Sequence, residues 1–160
     1  MLLTQDFFLQ KTVTVAKELI GKELIFTKDN HKMGGIINET EAYTQEDKAC
    51  HAYNGNITKR NKPMFKQGGC IYIYLIYGMY HCLNIVTEEE GRGCAVLIRG
   101  IIPSIGINKM KENRNMISTK NLTNGPGKLM MALQIPASLN EIKLSETCPL
   151  QIIDKKNNDL

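Results

Sequence analysis

Gly69-Cys-Ile-Tyr-Ile-Tyr-Leu-Ile-Tyr-Gly-Met-Tyr-His-Cys-Leu-Asn84 carries four of the chain's six tyrosines, Tyr72, Tyr74, Tyr77 and Tyr80. Its first half, from Cys70 to Ile76, is dense in β-branched and aromatic residues and reads as a strand. Alternation along a strand puts Tyr72 and Tyr74 on one face and Ile71, Ile73 and Leu75 on the other. Gly78 accepts a positive φ without steric cost and invites a tight turn. The segment from Tyr80 to Val86 is then the returning strand, and Tyr77 falls at the tip of a hairpin. A large aromatic side chain at a tip is exposed unless something covers it. Two readings stay open from the residues alone. Tyr77 folds back onto its own domain, or it enters a base stack, as bulky side chains of minor-groove proteins do.

Around this hairpin the chain alternates short helices and strands. Thr12 to Ile20 reads as a helix with an apolar stripe of Val13, Ala16, Leu19 and Ile20, capped by Gly21. Glu23 to Thr27 and Met33 to Tyr43 read as strands joined by a polar turn, Lys28 to His31. On the second strand Glu39, Glu41 and Tyr43 share a face. Thr44-Gln-Glu-Asp47 fits a capping box, which predicts a helix carrying His51 and ended by Gly55. Asn56 to Gly69 is irregular and basic. Cys94 to Ile102 predicts a third strand of the meander, Ser104 to Asn115 a helix, and Leu129 to Gln134 a helix after the Asn124-Gly-Pro-Gly-Lys128 turn. Leu150 to Ile153 predicts a last short strand. The expected class is α+β, with a mostly antiparallel curved sheet, flanking helices and a protruding tyrosine hairpin.

Composition bounds the function. At 160 residues the chain is expected to form one domain. No apolar run reaches the ~18 residues of a membrane span, so no membrane partner is expected. The N-terminal Met1-Leu-Leu-Thr-Gln-Asp-Phe-Phe8 lacks the basic segment of a signal peptide, and a cytoplasmic, nucleoid-associated protein is expected. Five cysteines, an odd number with no Cys-x-x-Cys pair, argue against a disulfide framework and a standard zinc site. Neither a metal nor a cofactor is expected. The formal charge of +4 is compatible with a nucleic-acid partner.

Several residues can carry chemistry. Two carboxylates at i and i+2, Glu39 and Glu41, point to one face. In a pocket one of them can act as general base towards water; on a solvated edge they do nothing. Cys50-His51 is no nucleophile pair, since adjacent helical residues point about 100° apart and no orienting partner is visible. Lys59, Arg60, Lys62 and Lys66 next to the tyrosines fit phosphate contact combined with base stacking. The Gly125-Pro-Gly-Lys128 turn can offer backbone N–H groups to a phosphate but lacks the full nucleotide-loop pattern.

Five motifs in order, Asn38-Glu-Thr-Glu-Ala-Tyr43, Lys59-Arg-Asn-Lys-Pro-Met-Phe65, Ile71 to Asn84, Val96-Leu-Ile-Arg99 and Asn124-Gly-Pro-Gly-Lys-Leu129, resemble the alkyladenine (3-methyladenine) DNA glycosylases of the mammalian type. The likeness runs from about Phe8 to about Ile153. It implies a monofunctional glycosylase, acting as a monomer on double-stranded DNA, that excises alkylated or deaminated purines (3-methyladenine, 7-methylguanine, hypoxanthine, ethenoadenine) and starts base excision repair. On matching positions, Glu41 activates the attacking water and Arg99 helps to hold the water and the DNA backbone. Tyr43, His51, Tyr74 and Asn84 line the pocket for the flipped base, Asn84 discriminating against normal guanine. Tyr77 is the intercalating plug. Lys59, Arg60, Met64 and Lys128 contact the DNA backbone. Relative to the family, the 1–160 domain is expected to be shortened at its C-terminus, and His81 stands where an apolar residue is common. The rival class is a non-catalytic module that binds single-stranded nucleic acid on a tyrosine stacking face. Such a binder has no need of Glu41.

Overall fold

The computed structural model describes residues 1–76 and 78–155. Tyr77 lies outside the described residues. Among those described are four helices and six strands: α1 (Gln5–Phe8), α2 (Thr12–Leu19), β1 (Glu23–Lys28), β2 (His31–Tyr43), β3 (Ile71–Ile76), β4 (Tyr80–Val86), β5 (Ala95–Ile105), α3 (Ile107–Arg114), α4 (Pro126–Leu133) and β6 (Leu150–Ile153). Among the described residues no helix is long and apolar enough to cross a membrane. The strands form one curled sheet in the order β3-β4-β5-β2-β1-β6, antiparallel at every pairing. The α+β class and the antiparallel sheet expected from the sequence are both present.

The sheet buries both faces. Against one lie the helices, with Val15 and Leu19 of α2, Met110 of α3 and Leu129 and Leu133 of α4 meeting Ile71, Ile73, Leu83, Ile85, Val96 and Ile98 in the main core. The α2 stripe differs from expectation. Thr12, Val15, Ala16 and Leu19 are buried, whereas Val13 and Ile20 are exposed. These four positions follow i, i+3, i+4, i+7, so the true stripe is one polar residue wide at its start. Thr12 is admitted because its hydroxyl bonds Glu88 and Thr87, which satisfies a buried donor. The β1–β2 turn is Asp29-Asn30, both with positive φ of 49° and 63°, the mirror-image turn that suits hairpin twist.

The other face is covered by residues 44–69, the basic and irregular stretch. The helix predicted from the capping box does not form. Asp47 N–H donates to Thr44 O, Cys50 N–H to Asp47 O, and Ala49 N–H to the Asp47 carboxylate. Side-chain competition for backbone donors closes successive turns instead of a helix. The cover contributes a second, smaller core of Cys50, Ala52 and Met64 against Tyr72, Val86 and Ala95. Buried Asn61 knots it, donating through Nδ2 to the carbonyls of His51 and Asn56, both at 2.8 Å, and accepting from Thr58 N–H at 2.7 Å.

β3 is an edge strand, and four of its outward backbone groups are taken. Ile71 bonds Ile142 and Glu141, Ile73 N–H bonds the Asn140 side chain, and the Leu75 carbonyl accepts from Arg60. That leaves little open edge for a second sheet to pair with.

Candidate active site

One row of cross-strand partners runs through the sheet under the 44–69 cover. Glu41 on β2 is opposite Leu97 on β5, Leu97 is opposite Asn84 on β4, and Asn84 is opposite Tyr72 on β3. Directly opposed residues share a face, so this row points towards the cover. Tyr43 and Tyr74 flank it by strand alternation. With His51, Met64 and Ala49 contributed by the cover, they enclose a cavity lined by Tyr43, Ala49, His51, Met64, Tyr72, Tyr74 and Asn84.

The aromatic groups are mutually ordered. The His51 and Tyr74 ring centroids are 4.4 Å apart, edge to face, and Tyr72 and Tyr74 are 5.3 Å apart. His51 Nδ1 is 3.2 Å from the Tyr72 hydroxyl, and Asn84 Nδ2 donates to Tyr72 O at 3.3 Å. Burial pushes the Tyr72 phenol up to about 12. Tyr74 is raised further still by burial and then by neighbouring Cys82. Both remain neutral donors at physiological pH. His51 is held below its ordinary value, first by desolvation and then by the Arg60 guanidinium, which favours the uncharged imidazole.

At the cavity's rim stands a carboxylate with two partners. The Tyr43 hydroxyl donates to Glu41 Oε2, and Arg99 Nη1 is 3.1 Å from Glu41 Oε1. Tyr43 is itself raised to about 12, by burial and then by that bond to Glu41. Arg99 also places Nε 3.0 Å from Glu39 Oε1. The register explains its aim. Glu39 pairs with Gly100 and Thr40 with Ile98, so Arg99 is the extra residue of a β-bulge. Bulges re-aim side chains in this way.

The remaining expected site residues are dispersed. Lys59 and Arg60 are exposed and line a cleft along β3 with Leu75, His81 and Asn140. Arg60 Cζ lies 5.4 Å from the Tyr74 ring centre. Met64, expected on the DNA backbone, is only 2% exposed. Its side chain belongs to the cavity wall, because Pro63 turns the chain inward at the short 3-10 turn Lys62–Phe65. Lys128 lies on the other side of the hairpin, in a groove with Ile76, Tyr80 and Arg114. There Gly127 allows α4 to approach Tyr80. A Cβ at Gly127 would sit 3.0 Å from the Tyr80 ring.

Two contributors were not singled out by sequence reasoning. Asn61 fixes the His51 backbone, and no sequence signal marks a buried amide inside a cationic loop. Tyr72, placed beside Tyr74 by alternation, holds the His51 ring. No group of three or more His, Cys, Asp or Glu side chains that could hold a metal ion occurs among the described residues.

The sequence pattern of the family described as Methylpurine-DNA glycosylase (MPG) matches residues 6–159. The chain belongs to the methylpurine-DNA glycosylase family. It is therefore an enzyme of the DNA glycosylase class, which hydrolyse N-glycosidic bonds. A relative from Natranaerobius thermophilus is 44% identical over 162 residues, covering 94% of this chain and 82% of its own length. One from Chlorobium phaeobacteroides is 48% identical, covering 89% and 72%. One from Clostridium perfringens strain 13 is 46% identical, covering 89% and 74%. All three bear the name "Putative 3-methyladenine DNA glycosylase". The non-catalytic binder has no support from these relatives.

Proposed function

We propose that this glycosylase removes alkylated and deaminated purines, the 3-methyladenine, 7-methylguanine, hypoxanthine and ethenoadenine class, from double-stranded DNA as a monomer. The observation that carries the proposal is a single hydroxyl. Tyr43 both lines the aromatic cavity and donates to Glu41, so a base held in the cavity would have its sugar beside that carboxylate.

A purine inside a duplex hides its glycosidic bond and must be flipped out. Tyr43, Tyr74 and His51 offer π-faces and edges to the flipped base. An uncharged His51 avoids repelling a cationic alkylated purine. Departure of the base leaves an oxocarbenium-like sugar. Glu41 stabilises that charge and takes a proton from the attacking water. Arg99 and Tyr43 occupy one position on each Glu41 oxygen and leave the other lone pairs for water. For the cationic purines, 3-methyladenine and 7-methylguanine, alkylation already makes the base a good leaving group that departs neutral, so no second carboxylic acid is needed for them. Asn84, buried at the cavity's floor, tests the base edge. Tyr77 is proposed as the plug on sequence grounds, and Lys59, Arg60 and Lys128 as phosphate contacts.

The test is incubation with a duplex carrying one hypoxanthine or ethenoadenine, followed by alkaline cleavage at any abasic site. Strand scission at the lesion is expected. Binding of the same duplex without scission of any lesion in the class would leave only the binding module.

A further inference from the structure

We propose that Arg60 sets the charge preference of the base cavity, so that the chain discriminates less in favour of cationic purines than its aromatic lining alone would allow. This rests on the reading of the cavity as a base pocket.

Three observations meet at Arg60. Its guanidinium lies over the Tyr74 ring, 5.4 Å from the centroid. Its Nη2 donates to the Leu75 carbonyl, which fixes the head group on the edge strand instead of leaving it free to follow solvent. Arg60 lines the outer cleft along β3 and is not among the cavity's lining residues, whereas Tyr74 lines both. The ring therefore separates a fixed cation from the cavity.

A ring quadrupole attracts cations to its faces. A cation already on the Tyr74 ring reduces the attraction left for a second cation stacked in the cavity. Its own field, screened but within a Debye length, adds repulsion. A neutral purine such as hypoxanthine feels neither effect, while 7-methylguanine carries a formal positive charge and feels both. The same field reaches His51, whose imidazole is faced by the Tyr72 hydroxyl and the Tyr74 ring and is held below its ordinary value by desolvation and then by Arg60. Arg60 thus acts through Tyr74 and His51 and is a positioning residue.

Arg60→Gln and Arg60→Lys separate charge from structure. Both change any phosphate contact, but that loss falls on every substrate and cancels in a ratio. Measured as single-turnover release at pH 8, the 7-methylguanine to hypoxanthine rate ratio should rise about two- to fivefold in Arg60→Gln, the size of an exposed cation–π contact. It should stay near wild type in Arg60→Lys. The His51 ring titration, followed by NMR in the free protein, should move upward in Arg60→Gln and less in Arg60→Lys. An unchanged ratio with wild-type glycosylase activity intact would overturn the charge role. Absence of base release by the wild-type protein would instead overturn the reading of the cavity. An unmoved His51 titration in Arg60→Gln would show that the guanidinium does not reach the pocket.

Discussion

Arg99 Nη1 stands 3.1 Å from Glu41 Oε1, while its Nε stands 3.0 Å from Glu39 Oε1. One guanidinium thus divides itself between two carboxylates that strand alternation alone cannot rank. The second partner of Glu41 ranks them: the Tyr43 hydroxyl, which belongs to the cavity, bonds Glu41.

That asymmetry gives the first prediction. Glu41→Gln keeps the size of the side chain and removes the base, so single-turnover release should fall by three or more decades, about 4 kcal/mol at ~1.4 kcal/mol per decade. Lesion binding should persist. Glu39→Gln should cost no more than about tenfold, since it acts only by letting Arg99 swing. Glu39 and Arg99 side chains are 54% and 32% exposed, and exposed pairs add at most about 1 kcal/mol to stability. Neither variant should lose more than a few degrees of Tm. The reverse order of activities would assign the water to Glu39.

His51 supplies a pH dependence. Its folded value lies below the ordinary 6.5, through desolvation and then Arg60. The unfolded chain therefore binds the proton more readily. The stabilisation is complete above 6.5 and declines as pH falls through 6.5 towards the lower folded value. His51 is exposed at one edge, and solvent screening keeps the slope well under one proton. Denaturant midpoints of wild type and His51→Gln should run parallel from pH 7 to 8 and converge between pH 6.5 and 5. Curves that diverge on acidification would mean that His51 is charged in the folded state.

Charge around the hairpin predicts a salt dependence. Lys59 and Arg60 lie in the cleft along β3 and Lys128 in the groove beside Tyr80. DNA affinity should fall linearly in a log–log salt plot, with a slope of about −0.9 per neutralised phosphate. Lys128→Gln should shallow that slope by about 1 and weaken undamaged and damaged duplexes alike. An unchanged slope would place Lys128 off the DNA.

The sheet was legible because its signal is local. Ile71 to Val86 alternates cleanly, and Asp29-Asn30 and Gly78 mark turns by composition alone. The carboxylates and tyrosines of β2 and β3 were legible for the same reason. The bulge at Arg99 was not, because an extra residue is visible only against the partner strand. The 44–69 cover was misread at both ends. Thr44-Gln-Glu-Asp47 has a helix-start pattern, yet the Asp47 carboxylate takes the Ala49 N–H and the turns never propagate. Met64 sits between Lys62 and Lys66 and looks like part of a solvated basic loop, yet it is buried. Tertiary contact with Tyr72 and Val86 decides its place, and no short-range pattern encodes that contact.

The cover's dependence on one amide gives the last prediction. Asn61 is buried and uses both ends of its side chain: Nδ2 donates to the His51 and Asn56 carbonyls, and Oδ1 accepts from Thr58 N–H. Asn61→Ala removes all three bonds and should cost about 2–3 kcal/mol, since partly buried backbone groups lose their partners. Base release should fall for every lesion, because the His51 backbone is no longer held over Tyr74. Asn61→Asp is more informative. It keeps the acceptor for Thr58 but turns a carboxylate oxygen towards two carbonyls. Burial and those carbonyls would raise the pKa of the introduced group. Its destabilisation should then be full at pH 7 and ease as pH falls and the carboxyl protonates, since a neutral acid can donate to one of the carbonyls. That trend is opposite to the acid loss expected from His51. Chemical denaturation of Asn61→Asp between pH 7 and 5 measures it directly. A midpoint that falls with acid as steeply as wild type would mean that water, not Asn61, satisfies the two carbonyls and that the cover is held by its apolar contacts alone.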